Sequence, residues 1–240
     1  MSLFDTEILP YSSPRKMNTI DKNGLKSLLL HSDTMKVYQE YFFQNEIQQR
    51  FYHFSTDCYL FALDGQAFIQ NSTQECSVKV NQGVWLEAET IHKLVPISGR
   101  FECLLLVTEE CQHDSLFTEF MRVQSTGTAI KLESNPDSTR WVLSDHPKVK
   151  IEIELLPKKH QELIHYHRFT KQFLVSLTDT IQVKNKDQES TLEPKQSVLI
   201  SPKHKHSIIN NNDHSAQILN FYTPRMTKDC VLVISKPNKA

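Results

Sequence analysis

Apolar and polar residues alternate with a period of two along much of the chain, most clearly over Met35–Phe43, Val149–Leu156 and Thr180–Lys184. Successive side chains of a strand point to opposite faces of its sheet, so this period predicts half-buried β-strands. β-Branched and aromatic residues fill the remaining runs, as strands prefer. The breaks carry turn chemistry at Asp64-Gly65, Asn81–Gly83, Asn185–Asp187 and Asn210–Asp213. Short strands separated by turns at spacings of roughly ten residues predict an all-β sandwich or barrel. Glycine is scarce, with 5 in the chain, so Asn and Asp are expected at the left-handed turn positions. One segment departs from the pattern. In Asp114–Val123 the apolar residues Leu116, Phe117, Phe120 and Met121 recur at helical spacing behind a capping Asp114 or Ser115, which predicts a short linker helix.

The hydrophobic pattern also repeats. Since 167 − 53 and 206 − 92 both give 114, His53 lies under His167 and His92 under His206. The same shift aligns Lys36 with Lys150, Glu40 with Glu154, Thr56 with Thr170, Leu60 with Leu174, Leu63 with Leu177, Gln82 with Gln196, Val84 with Val198 and Leu105 with Leu219, with no gap from Lys36 to Leu219. Self-similarity over this length predicts a duplicated unit, and 240 residues suffice for two domains that each bury a core. The expected division is 1–112, a linker of helix and loop at 113–129, and 130–240.

Composition narrows the function classes. Lys and Arg number 27, Asp and Glu 28, and the net charge is −1 with both signs interspersed. Neither nucleic acid nor a membrane surface is therefore an expected partner. The N-terminus lacks the basic start and apolar run of a secretory signal, and no apolar stretch is long enough to span a bilayer, so a cytoplasmic protein is expected. Five cysteines without C-x-x-C spacing fit neither a disulfide framework nor a cysteine zinc site. Cys58 and Cys103 lie in apolar runs and read as reduced core thiols. No Ser/His/Asp arrangement, phosphate loop or nucleotide fingerprint occurs.

The residues that carry chemistry lie in the second copy. His165 and His167 stand two apart on a predicted strand and so share a face. His206 follows 39 residues later, at the start of another predicted strand that an antiparallel sheet brings beside the first. Three imidazoles suit one divalent transition metal, whether Fe, Ni, Mn, Zn or Cu, and leave coordination positions open for a substrate. An H-x-H on an exposed edge strand is the competing reading. His204 reads as a solvated or substrate-facing residue, and His160 and Tyr166 as surface or packing residues, with His160 near enough to the strand entry to reach the barrel mouth.

His165-x-His167, then Gln172, and later Pro202, His206 and Asn210 resemble the two conserved motifs of the cupin superfamily, and the tandem arrangement resembles a bicupin. The resemblance implies two antiparallel jelly-roll β-barrels, with His165, His167 and His206 as metal ligands. Gln172 stands where that family carries a glutamate ligand, which removes a negative charge and leaves the ion nearly its full charge. The side chains expected to face a small-molecule substrate inside the barrel are Phe169, Phe173, His204, Gln217 and Tyr222. In the first copy Phe51, Cys58 and Ala88 replace His165, Gln172 and Pro202, so only His53 and His92 persist and that barrel is expected to be structural. The implied activity is that of a metal-dependent oxygenase, with isomerase or lyase chemistry next. The alternative is a non-catalytic binder of a sugar or other metabolite, since fold does not fix function. Homodimerisation through edge strands is implied by the resemblance alone.

Overall fold

The computed structural model describes residues 6–9, 24–32, 34–43, 50–108, 117–134, 138–185, 189–225 and 228–233, which form strands and turns. No helix among them is long and apolar enough to cross a membrane. The chain divides into two compact units. The first comprises Ser12–Ile130 and Leu143–Lys148, the second Met1–Tyr11, Lys131–Val142 and Val149–Ala240.

In the first unit a five-stranded sheet runs in the order Gly24–His31, Met35–Phe43, Arg100–Thr108, Cys58–Asp64 and Gly83–Leu86. A four-stranded sheet runs Arg50–Tyr52, His92–Pro96, Gln66–Gln70 and Glu75–Lys79. Between them lies an apolar cluster that includes Leu60, Ala67, Ile69, Val84, Leu94 and Leu105. The second unit repeats this order. Its large sheet runs Ser138–Asp145, Lys150–Leu156, Ala216–Thr223, Lys171–Ser176 and Ser197–Ile200, and is extended by Ile130–Ser134 at one edge and Thr6–Leu9 at the other. Its smaller sheet runs His160–Gln161, Ser207–Asn210, Ile181–Lys184 and Glu189–Leu192, and a separate ribbon pairs His165–His167 with Cys230–Leu232.

Strand pairing corrects the gapless alignment at two places. Glu40 opposes Cys103 whereas Glu154 opposes Ile218, and Cys58 opposes Val107 whereas Gln172 opposes Tyr222. The offset is therefore 115, not 114, in the last long strand, and one extra residue in the turn after Asn210 accounts for it. A one-residue slip exchanges the faces of a strand. Leu105, in the first core, thus corresponds to Asn220, not to Leu219. The second slip concerns the histidines. Tyr52 opposes His92 as His165 opposes His206, and Glu89 N donates to Phe54 O at 2.7 Å as Lys203 N donates to His167 O at 2.6 Å. Tyr52 and Phe54, stacked with centroids 5.8 Å apart, occupy the places of His165 and His167. Phe51 and His53 fall on the outer face, 62% exposed as a residue and 54% exposed as a side chain.

Two local expectations also fail. The expected helix lies partly outside the described residues, and from 117 onward the chain is not helical. Met121 N donates to Trp85 O at 2.9 Å, and Gln124 exchanges both backbone hydrogen bonds with Gly83. The open edge of Gly83–Leu86 supplies donors and acceptors that an extended segment satisfies, while Met121 enters the core cluster and Phe117 packs edge-on against Trp85. Among the described residues, left-handed turn positions fall mostly to lysine: Lys159, Lys195, Lys203 and Lys228 have positive φ, as do Glu89 and Met121, and among the described Asn and Asp residues only Asn81 does. Gly65, at φ 72°, is required by contact, since a Cβ there would stand 1.9 Å from Arg100 O.

Candidate metal centre

His165 and His167 share the inner face of a short strand, and His206 meets them from the residue just before the strand Ser207–Asn210. His165 and His206 exchange both backbone hydrogen bonds, at 2.9 and 2.8 Å. The ligand nitrogens of the three lie within 4.8 Å of one another, the only such cluster of His, Cys, Asp or Glu among the described residues. His165 and His206 are buried, and His167 keeps 12% of its side chain exposed.

The rings are oriented by their surroundings. His165 Nδ1 lies 2.9 Å from Leu163 O, and His206 Nδ1 lies 2.9 Å from His204 O. A carbonyl only accepts, so in His165 Nδ1 carries the proton and Nε2 keeps a lone pair, the state a metal requires; His206 meets a carbonyl oxygen at each nitrogen, which a neutral ring matches only with a cation between Nε2 and Gln172. His167 Nε2 is buried and has no hydrogen-bond partner, an arrangement that costs about 1–3 kcal/mol unless a ligand satisfies it. Gln172 turns its Oε1 to within 3.1 Å of His206 Nε2, and its amide nitrogen donates to Asn220 Oδ1 at 2.9 Å. Two donors about 2.1 Å from one ion and at right angles stand about 3.0 Å apart. The separation of His206 Nε2 and Gln172 Oε1 therefore suits two ligands of one divalent cation.

Burial holds all three imidazoles below the usual histidine range, His167 at about 4 and His206 at about 3, with the neighbouring His165 adding to the shift in both. The folded, metal-free protein consequently binds fewer protons here than the unfolded chain. Stability from these groups is present above the ordinary imidazole value near 6.5 and is lost as pH falls toward about 4 and then 3. The unfolding free energy of metal-free protein, measured in urea, is expected to decline steadily below about pH 6.5. A flat profile down to about pH 4 would contradict this account of the site.

The site opens into a cavity of about 1120 Å³ lined by His165, His167, Gln172 and Tyr222. Inner-face alternation explains which expected pocket residues reach it. Tyr222 lines it, with its hydroxyl 3.5 Å from Gln172 Nε2 and its ring 5.5 Å from that of His167. Phe173 and Gln217 sit at positions of opposite parity and do not line it; Phe173 packs on Phe221 instead, with centroids 6.1 Å apart. Phe169 is 58% exposed on the turn after the H-x-H strand. His204 is half-buried, outside the lining, and contributes its carbonyl to His206. His160 does line the cavity. Asn210 is a turn staple, donating to Leu156 O, Pro157 O and His214 O.

Sequence reasoning missed several wall residues. Asp229 accepts from the backbone N–H groups of Arg168, Phe169 and Thr170, and its Oδ2 lies 3.9 Å from His167 Nδ1. Arg140 Nε lies 2.9 Å from Glu154 Oε1, and its Nη2 lies 3.5 Å from Glu162 Oε1. Burial, then the charge of Glu154, pushes Glu162 up to about 8. No spacing rule points to residues brought together from four separate strands and turns; only Glu162, three before His165, carried a local hint.

In the first unit the same positions are apolar. Tyr52, Phe54, Cys58, Leu105 and Val107 stand where His165, His167, Gln172, Asn220 and Tyr222 stand in the second, and all five belong to or pack on the core. Burial pushes the Cys58 thiol up, which keeps it protonated in the metal-free protein. His92 alone persists, with Nδ1 3.0 Å from Thr90 O.

No protein-family model matches the sequence, and no curated protein matches it. Solved structures do. The cupin 2 conserved barrel domain protein from Leptotrichia buccalis is 7% identical, with 86% of this chain and 92% of that one covered and a TM-score of 0.65. Lactobacillus farciminis oxalate decarboxylase, in a formate complex, is 9% identical, with 90% and 85% covered and a TM-score of 0.68. This chain has the bicupin fold. A structure of Bacillus subtilis oxalate decarboxylase described for its Mn(II) centres is also similar, 8% identical with 88% and 74% covered and a TM-score of 0.66. At these identities the likeness to other bicupins concerns the fold.

Proposed function

We propose that this bicupin is a mononuclear metal-dependent enzyme of oxygenase type acting on a small molecule, with the ion held by His165, His167, His206 and the Gln172 oxygen. The observation that carries the reading is the convergence of three neutral imidazoles, one with an unsatisfied buried nitrogen, at an open cavity. A divalent ion would supply Lewis acidity there, and iron would add reactivity toward dioxygen. The protein's own groups bind and orient. Tyr222 keeps its phenol protonated through burial and offers a neutral donor beside the imidazoles. Glu162 lines the same wall, with burial pushing its carboxyl up. The Mn(II) centres of the B. subtilis relative support manganese as the first ion to test, followed by iron, nickel, zinc and copper.

Protein loaded with each ion is to be screened in an oxygen electrode against thiols, diketones, flavonols and small acids. Substrate-dependent oxygen uptake that His206→Ala abolishes is the expected result. Ligand binding without turnover across every ion and compound would overturn the oxygenase reading in favour of a non-catalytic binder.

A further inference from the structure

The cavity wall carries a charge arrangement that the metal site alone does not require. Arg140, on the strand Ser138–Asp145, lines the cavity with 33% of its side chain exposed. Glu154 and Glu162 each brace one of its N–H groups, at 2.9 and 3.5 Å. A guanidinium has five N–H donors and remains charged at any relevant pH, so most of the fork stays available to a bound molecule. The other oxygen of Glu162 lies 3.9 Å from His165 Nδ1, so one carboxylate separates Arg140 from the first imidazole.

Basic residues outnumber acidic ones on the lining. Arg140, Lys150, Lys158, Lys159 and Lys228 line the cavity, against the carboxylates Glu152, Glu162 and Asp229. Glu152 is paired with Lys150, and Asp229 accepts from three backbone N–H groups. Three neutral imidazoles and a neutral amide offset none of the charge of a divalent ion, so a neutral ligand would leave it uncompensated. Lys158, Lys159 and Lys228 are exposed, where cations raise the local concentration of anions; Lys159 also meets the exposed Asp213 at 3.0 Å. A volume of about 1120 Å³ admits an organic body beyond an inorganic ion.

We infer that the cavity takes an organic anion that reaches the metal position with one end and the Arg140 guanidinium with the other; this rests on the three histidines holding a divalent ion. Arg140 is then the residue that selects for a second acidic group. The test uses the full chain loaded with cobalt(II), whose visible spectrum reports ligands on the ion. Probes are the dicarboxylates malonate, succinate and glutarate, with acetate as a one-ended anion and succinamide as a neutral analogue.

At least one dicarboxylate is expected to perturb the spectrum more tightly than acetate, and Arg140→Lys, which keeps the charge but loses the fork, to weaken it about 10-fold or more while leaving acetate within about 2-fold. Arg140→Met is expected to do the same to the dicarboxylate, and unchanged cobalt stoichiometry in both variants verifies the fold. Equal weakening of acetate and dicarboxylate, no weakening at all, or succinamide binding as tightly as succinate would overturn the inference while the metal reading stands. Failure of the wild-type protein to take up cobalt would overturn the metal reading and this inference with it.

Discussion

Glu40→Ala is expected to destabilise the first unit by about 3–5 kcal/mol, the range for removing one partner of a buried ion pair. Glu40 is fully buried, accepts from Arg50 Nη1 at 2.9 Å and Tyr52 Oη at 2.7 Å, and forms an ion pair with Lys26 Nζ at 2.8 Å. Alanine leaves two cations and a phenol facing an apolar cluster with their acceptor gone. Most of the cost is that residue of unpaired charge, not the worth of the pair itself. Glu40→Gln, which keeps an acceptor for Tyr52, is expected to cost less. Denaturant unfolding of both variants measures the difference, and a loss below about 1 kcal/mol for Glu40→Ala would contradict the assignment of Glu40 as the organising charge of this barrel.

His206→Ala is expected to weaken divalent-metal binding by a factor on the order of 100 or more, because losing even an outer partner of a ligand costs about 10–100-fold. Competition against a chromophoric chelator measures it. His165→Ala should match it, since the two residues lock each other through a pair of backbone hydrogen bonds and present equivalent nitrogens. His92→Ala is the control. His92 has the same backbone-held tautomer but stands opposite Tyr52, where His206 stands opposite His165, so metal affinity is expected to be unchanged. A comparable loss in His92→Ala would mean that the first unit shares the binding.

How far the sequence could be read depended on the kind of information each feature carries. Strand periodicity is local, and Met35–Phe43 and Lys150–Leu156 appear where alternation placed them. The three histidines were legible because two lie on one strand and the third begins the next. The duplication was legible in outline but not in register, because the copies differ in turn length at two places. An added residue after Asn210 and a changed loop beside the H-x-H strand exchange inward for outward positions. For that reason His53 could pass for a retained ligand, although Phe54 holds its place. Gln217 and Phe173 stand at positions whose parity turns them from the cavity, which depends on the strand register and not on any local signal. Arg140 and Asp229 had no sequence signal, because their meaning depends on Glu154 and on the backbone amides of 168–170, contacts that only the closed barrel creates. The segment 117–123 imitated a helix because its apolar residues serve an extended strap along a sheet edge.

The asymmetry between the two barrels is tested most directly by anomalous scattering from crystals of the full chain loaded with manganese or zinc and recorded at the metal edge. The expected map has one strong peak per chain, within bonding distance of Nε2 of His165, His167 and His206 and beside the Gln172 oxygen, and no peak at His92 and Cys58. A peak in the first barrel, or an empty three-histidine site in crystals whose metal content is verified, would contradict the account.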